Sequence, residues 1–217
     1  MARLRLGVLI SGRGSNLQAL IDAAADPAYP AEIATVISNR AEAAGLARAA
    51  ACGIPHRAIT LANRAAFAAA ANAVLRRAGV ELVVLAGFMR LLDVGFVATW
   101  TDRMINIHPS LLPAFPGLHP QRQALAAGVK FSGCTVHFVR AEVDSGPIIA
   151  QAAVAVADGD DEDRLADRIL AAEHRLLPLA VRLFAEGRLA VAGNRVAVDG
   201  ATVPTAVVLN PGEATGL

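Results

Sequence analysis

Apolar residues follow two spacings that alternate along the first half of the chain. Residues 5–11 (RLGVLIS) are a β-rich apolar run bounded by glycine. Residues 15–25 (SNLQALIDAAA) switch to helical spacing, with Leu17, Leu20, Ile21 and Ala24 on one face. Ser15 and Gln18 stand at capping-box spacing at its start. The switch then recurs. Strands are predicted over 32–39, 55–60, 80–88 and 103–109, and helices over 41–53, 64–79 and 94–100. The run VELVVLAGF is continuously apolar after Glu81, as a strand covered on both faces should be. This rhythm predicts an α/β fold, a Rossmann-like, doubly wound, mainly parallel sheet.

After HPSLLPAFPGLHP the rhythm breaks. Residues 133–156 read as two strands joined by a turn at DSGP, a late antiparallel portion. A long C-terminal helix is expected from about residue 162 to 186, bent at Pro178. The expectation is a single domain over 1–193 and a tail over 194–217 with weak strand-like pieces and a mobile NPGEATGL end.

Composition narrows the classes. The net charge of +1 in 217 residues gives no broad basic field for nucleic acid. No apolar stretch reaches the roughly 18 to 20 residues of a membrane span. Cys52 and Cys134 form no CxxC pair, so neither a disulfide framework nor a metal site is expected, and a reducing, cytoplasmic setting is. The apolar N-terminus leads into a glycine loop and reads as a strand, not as a signal peptide.

Ligands of open α/β sheets bind at the carboxyl ends of the strands. Three polar clusters fall there: SGRGSN, NIHPS and VDSGP. The first is G-x-G-x-x-L, so it lacks the third glycine of a dinucleotide fingerprint, and it lacks the GK[ST] of a P-loop. It suits either a single phosphate on a helix N-terminus or a plain strand-to-helix turn. Asn106 and His108 are two apart on a strand, hence on one face at its tip before Pro109. A histidine moves protons near neutral pH, and an asparagine donates to an oxygen that gains charge. The pair suits acyl transfer without a protein nucleophile, or a satisfied core histidine beside a turn asparagine. Asp144 is a turn residue unless it lies near His108, where it would favour the imidazolium.

The segments LISGRGSNLQALIDA, VVLAGFMRLL, NIHPSLLPAFPGLHPQRQAL and GCTVHFVRAEVDSGPIIAQ closely resemble the phosphoribosylglycinamide formyltransferase family, in order and from about residue 6 to 189. The resemblance implies transfer of a formyl group from 10-formyltetrahydrofolate to the amine of a glycinamide ribonucleotide, in purine synthesis, without a metal. It implies small-molecule substrates and a monomer or homodimer. It puts the substrate phosphate on Gly14, Ser15 and Asn16, and a nucleotide contact on Glu173. It lays the folate along Phe88, Met89, Arg90, Leu91 and Leu92, and along Arg140, Ala141, Glu142, Val143 and Asp144, with Arg64 and Asn106 also in contact. Asn106, His108 and Asp144 become the catalytic set. His119 and His137 become candidates for support, and a cis peptide is expected at Pro113.

The resemblance is incomplete. Ala114 stands where the family often has a basic residue, and HPQRQAL differs from the more usual threonine-containing form. Rival readings are a methionyl-tRNA formyltransferase, a formyltetrahydrofolate deformylase, or a nucleotide-binding Rossmann protein without catalysis.

Overall fold

The computed structural model describes residues 2–202, 204–206 and 208–210. Elements follow in the order β1 (Leu4–Ile10), α1 (Ser15–Ala25), β2 (Ala31–Ser38), α2 (Ala44–Ala51), β3 (His56–Ala58), α3 (Arg64–Arg77), β4 (Leu82–Leu85), α4 (Val94–Thr99) and β5 (Met104–His108). Then come α5 (Pro120–Ala126), β6 (Phe131–Phe138), β7 (Ile148–Ala155), α6 (Glu162–Ala185), β8 (Leu189–Ala192) and β9 (Arg195–Val198).

Among the described residues the strands make one sheet in the order β3-β2-β1-β4-β5-β6-β7-β9-β8. Pairing is parallel from β3 through β5 and antiparallel at β5–β6 and β6–β7. The doubly wound expectation with a late antiparallel portion therefore holds. Alternate residues of β1, β2, β4 and β5 feed two separate cores. Leu6, Val8 and Ile10 of β1 join Leu82 and Val84 of β4 under α1 and α6. Leu9, Val83 and Leu85 face the other way, against Phe67, Ala71 and Leu75 of α3 and Phe96 of α4. Burying each large apolar side chain contributes about 2 kcal/mol.

The amphipathic α6 lays Leu165, Ile169, Leu177, Ala180 and Val181 on the first core. Asp161 caps it by accepting from the Arg164 N–H, and Pro178 does not interrupt it. The Pro178 carbonyl accepts from Tyr29 Oη at 2.8 Å.

Two local features differ from expectation. The Ser15–Gln18 capping box is absent. Gly14 is the N-cap, in the left-handed region at φ 71°, with no side-chain cap, and Gln18 donates to Asp22 instead. The short helix α5 was not foreseen; Pro120 occupies its first turn, where a missing N–H costs nothing. Beyond α6, β8 and β9 pair antiparallel, β9 also pairs with β7, and β9 lies in the tail where strand-like pieces were expected. The expected mobile end, apart from Asn210, lies outside the described residues.

Candidate active site

Strand order reverses at β1, whose neighbours are β2 and β4. A crevice therefore opens at the carboxyl ends of β1 and β4. Ser11 ties the two loops there together. Its N–H donates to the Gly87 carbonyl at 3.1 Å, and its hydroxyl accepts from the Met89 N–H at 2.7 Å. The hydroxyl also donates to Asn39 Oδ1 at 2.6 Å.

Next along the sheet, β5 ends in the predicted pair. Ile105 and Ile107 are buried in one core, while Met104 belongs to the other. Alternation then puts Asn106 and His108 on the face of Met104, at the strand tip. The β5–β6 register sets His137 beside Asn106 and Thr135 beside His108. Asp144, in the left-handed region at φ 53°, comes in from the loop after β6.

The resulting cluster is tight. His108 Nδ1 lies 3.4 Å from Asp144 Oδ2, with the two side chains 7% and 9% exposed. His108 Nε2 meets the Phe115 carbonyl at 3.0 Å. Both ring nitrogens thus face oxygen acceptors, which an imidazolium satisfies at both. The Gly117 N–H donates to Asp144 Oδ2 at 2.8 Å, and His137 Nε2 stands 3.7 Å from Asp144 Oδ1. Burial works to raise the Asp144 pKa, but His137, the Gly117 N–H and the His108 charge outweigh it and hold this carboxyl below the usual range. His137 Nδ1 faces the Phe138 carbonyl at 3.0 Å and so carries the hydrogen. Its Nε2 lies 3.2 Å from Asn106 Nδ2 and 3.7 Å from Asp144 Oδ1, between the two side chains.

The segment between β5 and α5 closes over this tip. Its Leu112–Pro113 peptide is cis, as the resemblance implied. Thr135 Oγ1 donates to the Ser110 carbonyl and accepts from the Leu112 N–H, at 2.7 and 3.0 Å. These bonds hold the backbone that presents Phe115 and Gly117.

A second constellation joins α1 to α6. Asn16 Nδ2 donates to Glu173 Oε2 at 2.7 Å, across 157 residues of sequence. Glu173 is 6% exposed, not the solvated helix charge its sequence setting alone suggests. Burial pushes its pKa up to about 7, against the opposing hydrogen bond from Asn16. Gly14, Ser15 and Asn16 form the first turn of α1 and its cap, with the positive end of the helix dipole.

The expected folate segments rim the same mouth. Phe88 is buried, whereas Met89, Leu91 and Val143 are more than half exposed. Leu92 is half-buried; Ala141 and Glu142 are exposed. Arg90 donates to the Leu61 and Ala62 carbonyls and lies over the Phe67 ring, which stacks on Phe88 at 5.7 Å. That fold-over brings the residues before exposed Arg64 against the 88–92 segment. Arg140 pairs with Asp102 at 2.5 Å, so its guanidinium is engaged outside the cluster.

Of the two supporting histidines, His137 joins the cluster. His119 does not: it is the residue before α5, its side chain is 63% exposed, and it faces Glu162 at 3.9 Å. Ser11, Phe115 and Gly117 were not foreseen as site residues. Two of them act through backbone atoms, which no side-chain pattern reveals. A cavity of about 400 Å³ borders Asp144 and Pro113. The larger cavity, about 730 Å³, lies between β3 and α3 and shares no residue with the cluster. Among the described residues no His, Cys, Asp and Glu group is arranged to hold a metal, and no helix is long and apolar enough to cross a membrane.

Comparison with known proteins shows the family of the chain. The formyl transferase family model matches residues 4–181. The chain is 45% identical to phosphoribosylglycinamide formyltransferase of Escherichia coli, over 93% of this chain and 96% of that one. It is 55% identical to the trifunctional purine biosynthetic protein adenosine-3 of Drosophila pseudoobscura, over 86% of this chain but only 14% of that much longer protein. The glycinamide ribonucleotide transformylase 1 structure from Symbiobacterium toebii superposes with a TM-score of 0.88 at 53% identity, covering 90% of this chain and 94% of that one. With a family model matched over most of its length and a relative 45% identical across nearly the whole of both chains, the chain belongs to the formyl transferase family.

Proposed function

We propose that this chain transfers the formyl group of 10-formyltetrahydrofolate to the amine of N1-(5-phospho-D-ribosyl)glycinamide, giving the N-formyl product and tetrahydrofolate, as a cytoplasmic step of purine synthesis. The observation that carries this reading is the Asn106–His108–Asp144 cluster, which has donors for an oxyanion and no protein nucleophile. The phosphate of the acceptor sits on the N–H groups of Gly14, Ser15 and Asn16, and Glu173 faces its sugar. The folate lies between 88–92 and 140–144, where exposed Met89, Leu91 and Val143 gain an apolar partner.

The chemistry then follows from position. The neutral amine attacks the formyl carbon, and negative charge collects on the formyl oxygen. That oxygen takes the place of the Phe115 carbonyl on His108 Nε2 and receives an N–H of Asn106. Asp144 holds the His108 ring and balances its charge. Collapse breaks the bond from the formyl carbon to the folate nitrogen, and the proton leaving the amine ends on that nitrogen through His108. Holding two substrates face to face supplies a large part of the acceleration.

The test is a spectrophotometric assay of folate release with purified protein. Release that requires the ribonucleotide supports the reading. Release without it would make the chain a hydrolase of the folate, and no release with both substrates present would remove the proposed acceptor.

A further inference from the structure

The loop from Gly12 to Gly14 is polarised by its neighbour α2. The Gly12 carbonyl accepts from the Gly45 N–H at 3.0 Å. The next carbonyl, that of Arg13, accepts from Arg48 Nε at 3.0 Å. In a trans peptide the C=O and the following N–H point in opposite directions. Pinning both carbonyls toward α2 therefore turns the Arg13 and Gly14 N–H groups away from it, and neither has an acceptor among the described residues. The contact is close as well as oriented, since a Cβ on Gly14 would meet the Gly45 Cα at 2.6 Å. Arg48 also reaches α1, where its Nη1 donates to Gln18 Oε1 at 3.2 Å.

We propose that Arg48 is a positioning residue for the phosphate of the acceptor: its guanidinium holds the Arg13–Gly14 peptide so that the Gly14 N–H faces the anion, and its charge adds to the attraction there. This rests on the reading of 14–16 as a phosphate cradle. Without Arg48 the Arg13 carbonyl is released, and the peptide can rotate to aim an oxygen at the phosphate. The cost falls on binding of the phosphate and not on formyl transfer, because Arg48 touches none of Asn106, His108 and Asp144. The Arg48 side chain is exposed and belongs to neither core cluster.

The experiment compares wild type with Arg48→Met and Arg48→Lys on two acceptors, glycinamide ribonucleotide and the riboside without its phosphate. With the ribonucleotide, Arg48→Met should raise KM about tenfold or more while kcat and the KM for folate stay within about twofold. Arg48→Lys, which keeps one donor and the charge, should recover part of the loss. With the riboside all three proteins should have the same kcat/KM. An unchanged ribonucleotide KM, or the same loss on both acceptors, overturns the proposal. If wild type uses the riboside as well as the ribonucleotide, the phosphate cradle itself fails and the proposal falls with it.

Discussion

Asp144 and Glu173 are both largely buried carboxyls, and their surroundings move them in opposite directions. Asp144 has an N–H donor and two imidazoles beside it and is held low. Glu173 has one neutral amide and is pushed up to about 7. Their signs in the stability of the fold are opposite. Asp144 stabilises above its unfolded pKa, and that contribution is lost as pH falls through its lower folded value. Glu173 is protonated in the folded chain when the unfolded chain has already lost the proton, between 4.5 and about 7, so its contribution to stability falls as pH rises through that window. Replacing Glu173 with Gln keeps an acceptor for Asn16 and removes the buried charge. The variant should gain on the order of 3 kcal/mol over wild type at pH 8 and little at pH 5, read by urea unfolding. An equal change at both values would mean that the carboxyl does not titrate in that window. In catalysis, His108→Ala or Asp144→Asn should lower kcat by about 10² to 10⁴ while the variant still folds, as read by circular dichroism. Near-normal turnover in either variant removes the role assigned to that residue.

At the scale of elements, what the sequence makes legible is what repeats. Strands β1, β2 and β4 to β7 and the helix α6 follow from apolar periodicity because each packs on a continuous core. Local signals fared worse where a neighbour overrides them. Ser15 and Gln18 have the spacing of a capping box, but Gly14 takes the cap position, which puts Ser15 inside the helix, and Asp22 and Arg48 claim the Gln18 side chain. The seven residues of α5 bury little more than Pro120 and Ala124, too few to print a period. The same holds for β8 and β9, four residues each at the end of the sheet. The turn before α1 tests this scale directly. Gly14 combines φ 71° with the approach of Gly45, so a Cβ there is strained and also unplaceable. Gly14→Ala should cost about 1–3 kcal/mol of stability and raise the KM for the ribonucleotide far more than the KM for folate. Equal effects on both would detach this turn from the acceptor site.

Across the whole molecule, the site is assembled from loops that are distant in sequence and adjacent at one end of the sheet. Asn106 and His108 were legible as a pair because strand alternation is a local rule. That Asp144 meets His108, and Glu173 meets Asn16, depends on the order of strands and the path of α6, which no window of sequence contains. Likeness to a family supplied the first of these pairings before the fold did, whereas Asn16 and Glu173 were expected only as separate contacts to the nucleotide. The support of Asn106 by His137 and of Asp144 by Gly117 came only with the register of β5 on β6 and the path of the 109–119 segment. The most direct test of the account follows the atom that moves. The purified chain is given 10-formyltetrahydrofolate labelled at the formyl carbon together with glycinamide ribonucleotide, and the label is traced by mass spectrometry. Label is expected on the amine nitrogen of the ribonucleotide, one equivalent for each tetrahydrofolate formed. Label appearing as free formate, with the ribonucleotide unlabelled, would contradict it.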